Sequence, residues 1–159
     1  MYLAAQNGHA AVVKLLLDNG AKVNGCDTSM NPLCVAINNG HDEVAQLLLS
    51  VEGVDVNIGN QLGNTPLHIA AITGRKEIAR LLLAKGADAN IKNHSGDTPL
   101  QIAEIIENST VFMLEKDTNS VLLVKKGVKE LLSQHVKNNK PSSSVDKIDV
   151  SVQQSSKIR

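Results

Sequence analysis

Five histidines, two cysteines and one acidic pair are the residues of this chain best suited to acid–base, nucleophilic or metal chemistry. Their spacing argues against all three. His9 and His41 each follow a glycine, His68 follows Thr-Pro-Leu, His94 sits in a polar stretch and His135 lies near the tail, so the imidazoles are spread along the chain. A zinc site needs Cys and His at short fixed intervals, and Cys26 and Cys34 have no such neighbours. The two thiols are read as reduced and partly packed. No Ser-His-Asp or Cys-His set has the strand-turn-helix context of an activated nucleophile. No Walker pattern or closely spaced glycine triplet offers a phosphate cradle. Asp42-Glu43 resembles a catalytic pair, but carboxylates in the first turn of a helix offset its dipole, worth roughly 0.3–1 kcal/mol each. The chain is expected to be noncatalytic, with no metal and no cofactor.

What positions these residues is a repeat. Leu33, Leu67 and Leu100 are 34 and 33 residues apart, and Asn24, Asn57 and Asn90 recur at 33 and 33, a period typical of stacked solenoid units. Within the third unit, Leu67, Ile69, Ala70 and Ala71 form one apolar stripe and Ile78, Ala79, Leu81, Leu82 and Leu83 a second, with Gly74 between them. Pro66 suits a first helical turn and Thr65 can cap it, so the first helix should begin near Thr65. The second should stop at Lys85-Gly86. Neither helix can bury its apolar face alone; stacked units can, because the core then runs along the array.

At these residues the chain resembles the ankyrin repeat family, whose pattern of Thr-Pro-Leu-His, Ala-Ala, Gly-His, Leu-Leu and Gly-Ala-x-x-Asn is met almost completely by residues 58–90. The first unit carries Leu3-Ala4-Ala5, Gly8-His9, Leu15-Leu16-Leu17 and Gly20-Ala21-Lys22-Val23-Asn24. The second carries Asn31-Pro32-Leu33-Cys34-Val35-Ala36, Gly40-His41, Leu47-Leu48-Leu49 and Val54-Asp55-Val56-Asn57. The fourth starts well and breaks off after Glu104. The resemblance implies an all-α solenoid of about four helix-turn-helix units with hairpin loops, and makes His68 a structural donor tying neighbouring units together.

The departures set the expected boundaries. Units of about 1–24, 25–57, 58–90 and 91–137 leave a polar tail at 138–159, read as disordered because it has too little apolar surface to order itself. Met1 falls on the Leu of the tetrad, so the first unit lacks its hairpin, its Thr-Pro and a cap, as an alternative or truncated start or an artificial boundary would leave it. The second unit has a shorter hairpin tip and one extra residue in Ser50-Val51-Glu52-Gly53. The fourth is split by an insertion near 108–126. A helix from about 120 to 137, with Ser120 as cap, should then cover the exposed end of the third repeat. Val111-Phe112-Met113-Leu114 has three readings: an extension of the first helix, a hairpin with 121–124, or an exposed contact, with packing favoured.

Composition narrows the partner class. Tyr2 and Phe112 are the only Phe, Tyr or Trp residues, too few for a base-stacking platform. Sixteen Lys and Arg balance sixteen Asp and Glu, with a mildly acidic array and a mildly basic tail; neither imbalance gives the clustered basic surface that nucleic acid requires. No apolar stretch approaches the ~20 residues of a membrane span. The expectation is an intracellular (cytoplasmic) monomer that binds a protein, with delivery into a host cell open if it is bacterial.

Ankyrin-like proteins bind partners through hairpin tips and the concave face of the first helices. Carried over position by position, the resemblance points to Gln6 and Asn7, then Met30, Asn31, Asn38 and Asn39. Gln61, Leu62, Asn64, Ile72 and Thr73 follow in the third unit, and His94, Ser95 and Asp97 at the fourth hairpin. An amide-rich surface with apolar Leu62 and Ile72 suits a protein or peptide. Two alternatives stay open: a stoichiometric inhibitor or regulator of an enzyme, as compact ankyrin-like kinase inhibitors are, or the targeting part of a larger enzyme or secreted bacterial effector.

Overall fold

A computed structural model describes residues 1–25, 31–113 and 119–139, at backbone level for 109–113 and 119–125. It contains eight α-helices and no strand among the described residues: α1 (Tyr2–Gln6), α2 (Ala10–Asp18), α3 (Pro32–Asn38), α4 (Asp42–Ser50), α5 (Pro66–Thr73), α6 (Lys76–Ala84), α7 (Pro99–Met113) and α8 (Asn119–Asn138). They alternate between two rows. α1, α3, α5 and α7 pack in succession as one row and α2, α4, α6 and α8 as the other, while each odd helix pairs with the even one that follows it.

Local chemistry explains the helix ends. α5 starts after Thr65, whose backbone is extended, with Pro66 in the first turn, and it stops where Gly74 takes a left-handed conformation (φ 72°). α6 ends at Ala84 with Lys85 as its cap. The second unit has no Thr before its proline, and Asn31 substitutes: its Oδ1 accepts from the N–H groups of Leu33 (2.8 Å) and Cys34 (3.1 Å) at the start of α3. The extra residue after α4 also shows. Val51 leaves the helix in an extended conformation, where Lys85 at the equivalent exit is close to helical.

The core is aliphatic and continuous, built from Leu33, Ile37, Leu48, Leu67, Ile78, Leu82 and Leu132 with Ala36, Ala45, Ala70 and Ala79 where backbones approach. One end of this core is open. Val44 and Ile78 are 1% exposed beneath the unit before them, whereas Val12, at the equivalent position of α2, is 46% exposed because no helix pair lies outside the first unit. At the other end α8 packs on α5, α6 and α7, burying Val128 and Leu132, as expected of a helix covering the third repeat. It begins one residue before Ser120, which therefore sits inside its first turn. α7 runs through 113, so residues 111–113 extend the first helix and do not form a hairpin strand. A Glu107–Lys129 ion pair links α7 to α8. The short hairpin of the second unit, with Cys26 and Met30, lies outside the described residues, as do Leu114 and the tail from 140.

Candidate binding surface

Each of the two described hairpin tips is organised by one asparagine. Asn60 Oδ1 accepts from the N–H groups of Leu62 (3.0 Å) and Asn64 (3.1 Å), and its own N–H donates to the Asn64 carbonyl (3.0 Å). Asn93 repeats this, accepting from Ser95 and Asp97 (3.0 Å each) and donating to the Asp97 carbonyl (2.9 Å). The tips are then tied together: His94 N–H donates to the Leu62 carbonyl (3.0 Å), and Asn93 Nδ2 to Asn64 Oδ1 (2.9 Å). Side chains on these turns are held by a fixed backbone.

Beneath the tips, His68 joins the third unit to the fourth. Its Nδ1 accepts from the Thr65 N–H (3.1 Å), with the Thr65 hydroxyl 2.8 Å away, and its Nε2 lies 2.9 Å from the Asp97 carbonyl oxygen. A backbone N–H can only donate and a carbonyl can only accept, so the proton is on Nε2 and the ring is neutral. Burial lowers the His68 pKa from its ordinary value, partly offset by the hydrogen bond and charge of Asp97. A neutral imidazole committed on both nitrogens is a fastener with no free base. In the fourth unit Gln101 makes only the local half of this arrangement, accepting from Thr98 N–H (2.9 Å).

Between α3, α5 and the first described tip lies a cleft of about 280 Å³, lined by Tyr2, Asn31, Cys34, Val35, Asn38, Asn60, Gln61, Leu62 and Ile69. Cys34 is a free thiol on its floor, and burial pushes its pKa up to about 12, which keeps it protonated and unreactive as a nucleophile. Leu62 stands 65% exposed at the rim. Among the described residues no three His, Cys, Asp or Glu side chains are grouped to hold a metal ion.

The residues singled out from the sequence divide into two sets. Asn7, Asn38, Asn39, Gln61, Leu62, His94 and Ser95 are exposed, and Gln6 is half-buried with its carbonyl receiving Asn39 Nδ2 (2.9 Å) and His41 Nε2 (3.0 Å). Asn31 and Asn64 are buried instead, because their amides bridge units: Asn31 Nδ2 donates to the Ile58 carbonyl (3.1 Å), and Asn64 receives Asn93. Ile72 is half-buried and packs against the core, Thr73 turns its hydroxyl onto the Ile69 carbonyl (2.7 Å), and Asp97 is half-buried with its carbonyl facing His68. Four contributors escaped the sequence reading: Tyr2, Val35, Asn60 and Asn93. The last two carry a signal, since they stand 33 residues apart in the same phase as Asn57 and Asn90.

A family model described as ankyrin repeats in three copies matches residues 1–60, and one described as ankyrin repeats in many copies matches residues 51–103. The chain belongs to the ankyrin repeat family. Ankyrin repeats are protein-interaction modules, which agrees with a fold whose conserved-looking hydrogen bonds are spent on joining units. Among similar proteins, the E3 ubiquitin-protein ligase XBAT33 of Arabidopsis thaliana is 39% identical over 85 residues, covering 53% of this chain and 17% of the ligase. The transient receptor potential cation channel subfamily A member 1 homolog of Caenorhabditis elegans is 36% identical over 86 residues, 54% of this chain and 7% of the channel. The ankyrin repeat-containing protein P1E11.10 of Schizosaccharomyces pombe is 34% identical over 70 residues, 43% of this chain and 33% of that protein. The matches thus span a third or less of these relatives' own length. No helix among the described residues is long and apolar enough to cross a membrane.

Proposed function

We propose that this ankyrin array is a noncatalytic module that binds a protein partner through its hairpin tips and the exposed side of its first-helix row. The observation that carries this reading is the contrast at the tips. Asn60, Asn93 and His68 are consumed by fixing the backbone, while Gln61, Leu62, His94 and Ser95 stand exposed on it. Rigid presentation of exposed side chains lowers the entropy cost of docking. We place the module inside the cell as a monomer, a reading supported by the free thiol of Cys34. The scarcity of aromatics and of clustered basic residues favours protein over nucleic acid.

Leu62→Arg tests this against Leu15→Arg. The two leucines are similarly exposed, 65% and 62%, but Leu15 lies on α2 in the other helix row. Quantitative capture of a partner by the whole chain should fall for Leu62→Arg alone, with helical circular dichroism unchanged in both. Equal capture by all three proteins sinks the assignment. A second reading, that the array is the targeting part of a larger enzyme, is supported by the small share of the E3 ligase that it matches.

A further inference from the structure

We propose that the cleft between α3 and the 60–62 turn is an anchor pocket for one large apolar side chain carried on an extended, uncharged segment of the partner protein. This rests on the binding role above and names the partner chemistry at the same surface. The volume, about 280 Å³, lies just under the ~300–1,000 Å³ of pockets that enclose whole small molecules. It accommodates a single anchor and a short run of backbone.

Charge selects the anchor. Every residue lining the cleft is uncharged, and Cys34 on its floor stays a neutral thiol. A carboxylate or ammonium entering here would lose hydration and meet no counter-charge, whereas Val35, Ile69 and Leu62 offer aliphatic contact. The rim supplies the polar half of the recognition. Gln61 makes no side-chain hydrogen bond to another described residue, and Asn38 spends only its Nδ2 on Asn39 Oδ1 (3.2 Å). One free carboxamide and one free amide carbonyl can therefore read the N–H and C=O groups of a partner backbone on either side of the anchor. The pocket is also preorganised, since the Leu62 backbone is pinned by Asn60 Oδ1 at its N–H and by His94 at its carbonyl.

A displayed library of random linear peptides, selected against the full chain, tests the pocket. Selected binders should carry one Leu, Met or Phe within an uncharged stretch, and their affinity should fall roughly tenfold or more on Leu62→Glu and on Cys34→Met, which fills the floor. Asn39→Glu and His94→Glu, outside the cleft, should have a smaller effect. Urea midpoints near that of the parent chain confirm that each variant is folded. Binders that ignore the two cleft substitutions but are lost with Asn39→Glu or His94→Glu overturn the pocket and leave the surface reading standing. So do binders whose indispensable residue is charged. Binders indifferent to all four substitutions, or a library that yields none, count against both.

Discussion

His68 Nε2 donates to the carbonyl of Asp97 across 2.9 Å and 29 residues of chain, and it can do so because the Thr65 N–H holds the proton off Nδ1. The helix start of one unit and the hairpin of the next are thereby fixed by one ring. His68→Ala should leave the Thr65 donor and the Asp97 acceptor unpaired around a small cavity, a loss of about 2–5 kcal/mol. His68→Gln can keep the local bond, as Gln101 does at Thr98, and should lose about half as much. Urea unfolding of the two variants measures both.

The same ring makes stability depend on pH with a definite sign. Burial lowers the His68 pKa in the fold, so as pH falls through the ordinary value of 6.5 the unfolded chain takes up the proton first. The contribution is complete above that value and declines as pH drops toward the folded pKa. The urea midpoint should fall between pH 7.5 and 5.5, and His68→Gln should fall less, the difference between the two isolating this histidine. A variant with the same pH response as the parent contradicts the assignment.

Gly63 and Gly20 separate backbone strain from crowding. Both have positive φ, 72° and 81°, but a Cβ on Gly63 would come within 2.7 Å of the His94 ring and 3.0 Å of its backbone nitrogen, while nothing lies within 4 Å at Gly20. Gly20→Ala should cost about 1 kcal/mol from conformation alone. Gly63→Ala should cost at least twice that and loosen the joined hairpin tips, read as faster amide exchange at His94.

Val12 and Val44 occupy equivalent positions with 46% and 1% exposure. Val44→Ala removes two buried methyl equivalents and leaves a void, for about 1.5–3 kcal/mol. Val12→Ala should cost under about 1 kcal/mol on the same reasoning. Thermal unfolding of the pair shows whether the first unit is covered in solution; equal losses would mean that something packs on it.

The sequence and the structure agree where the controlling interactions are local. Thr65-Pro66 sets the start of α5 and Gly74 its end within a few residues, and the 33-residue spacing of leucines and asparagines fixes the stacking. Exposure is harder to read, because it depends on atoms about 30 residues away. Asn31 and Asn39 are both amides near α3, yet one is folded onto the Ile58 carbonyl and the other reaches back over the rim to Gln6. Ile72 looks like a surface anchor by register and is half-buried because neighbouring helices close over it. The cleft is likewise a property of three units together, so no single repeat announces Tyr2, Val35 and Ile69 as its walls.

The central claim is that the partner contacts the hairpin tips and first-helix row. Hydrogen–deuterium exchange of the whole chain with and without a captured partner tests it most directly. Protection should appear at 60–64 and 93–97 and along the exposed end of α3, with α2, α4 and α6 unchanged. Protection confined to α2, α4 or α6, with the tips exchanging as in the free protein, would contradict it.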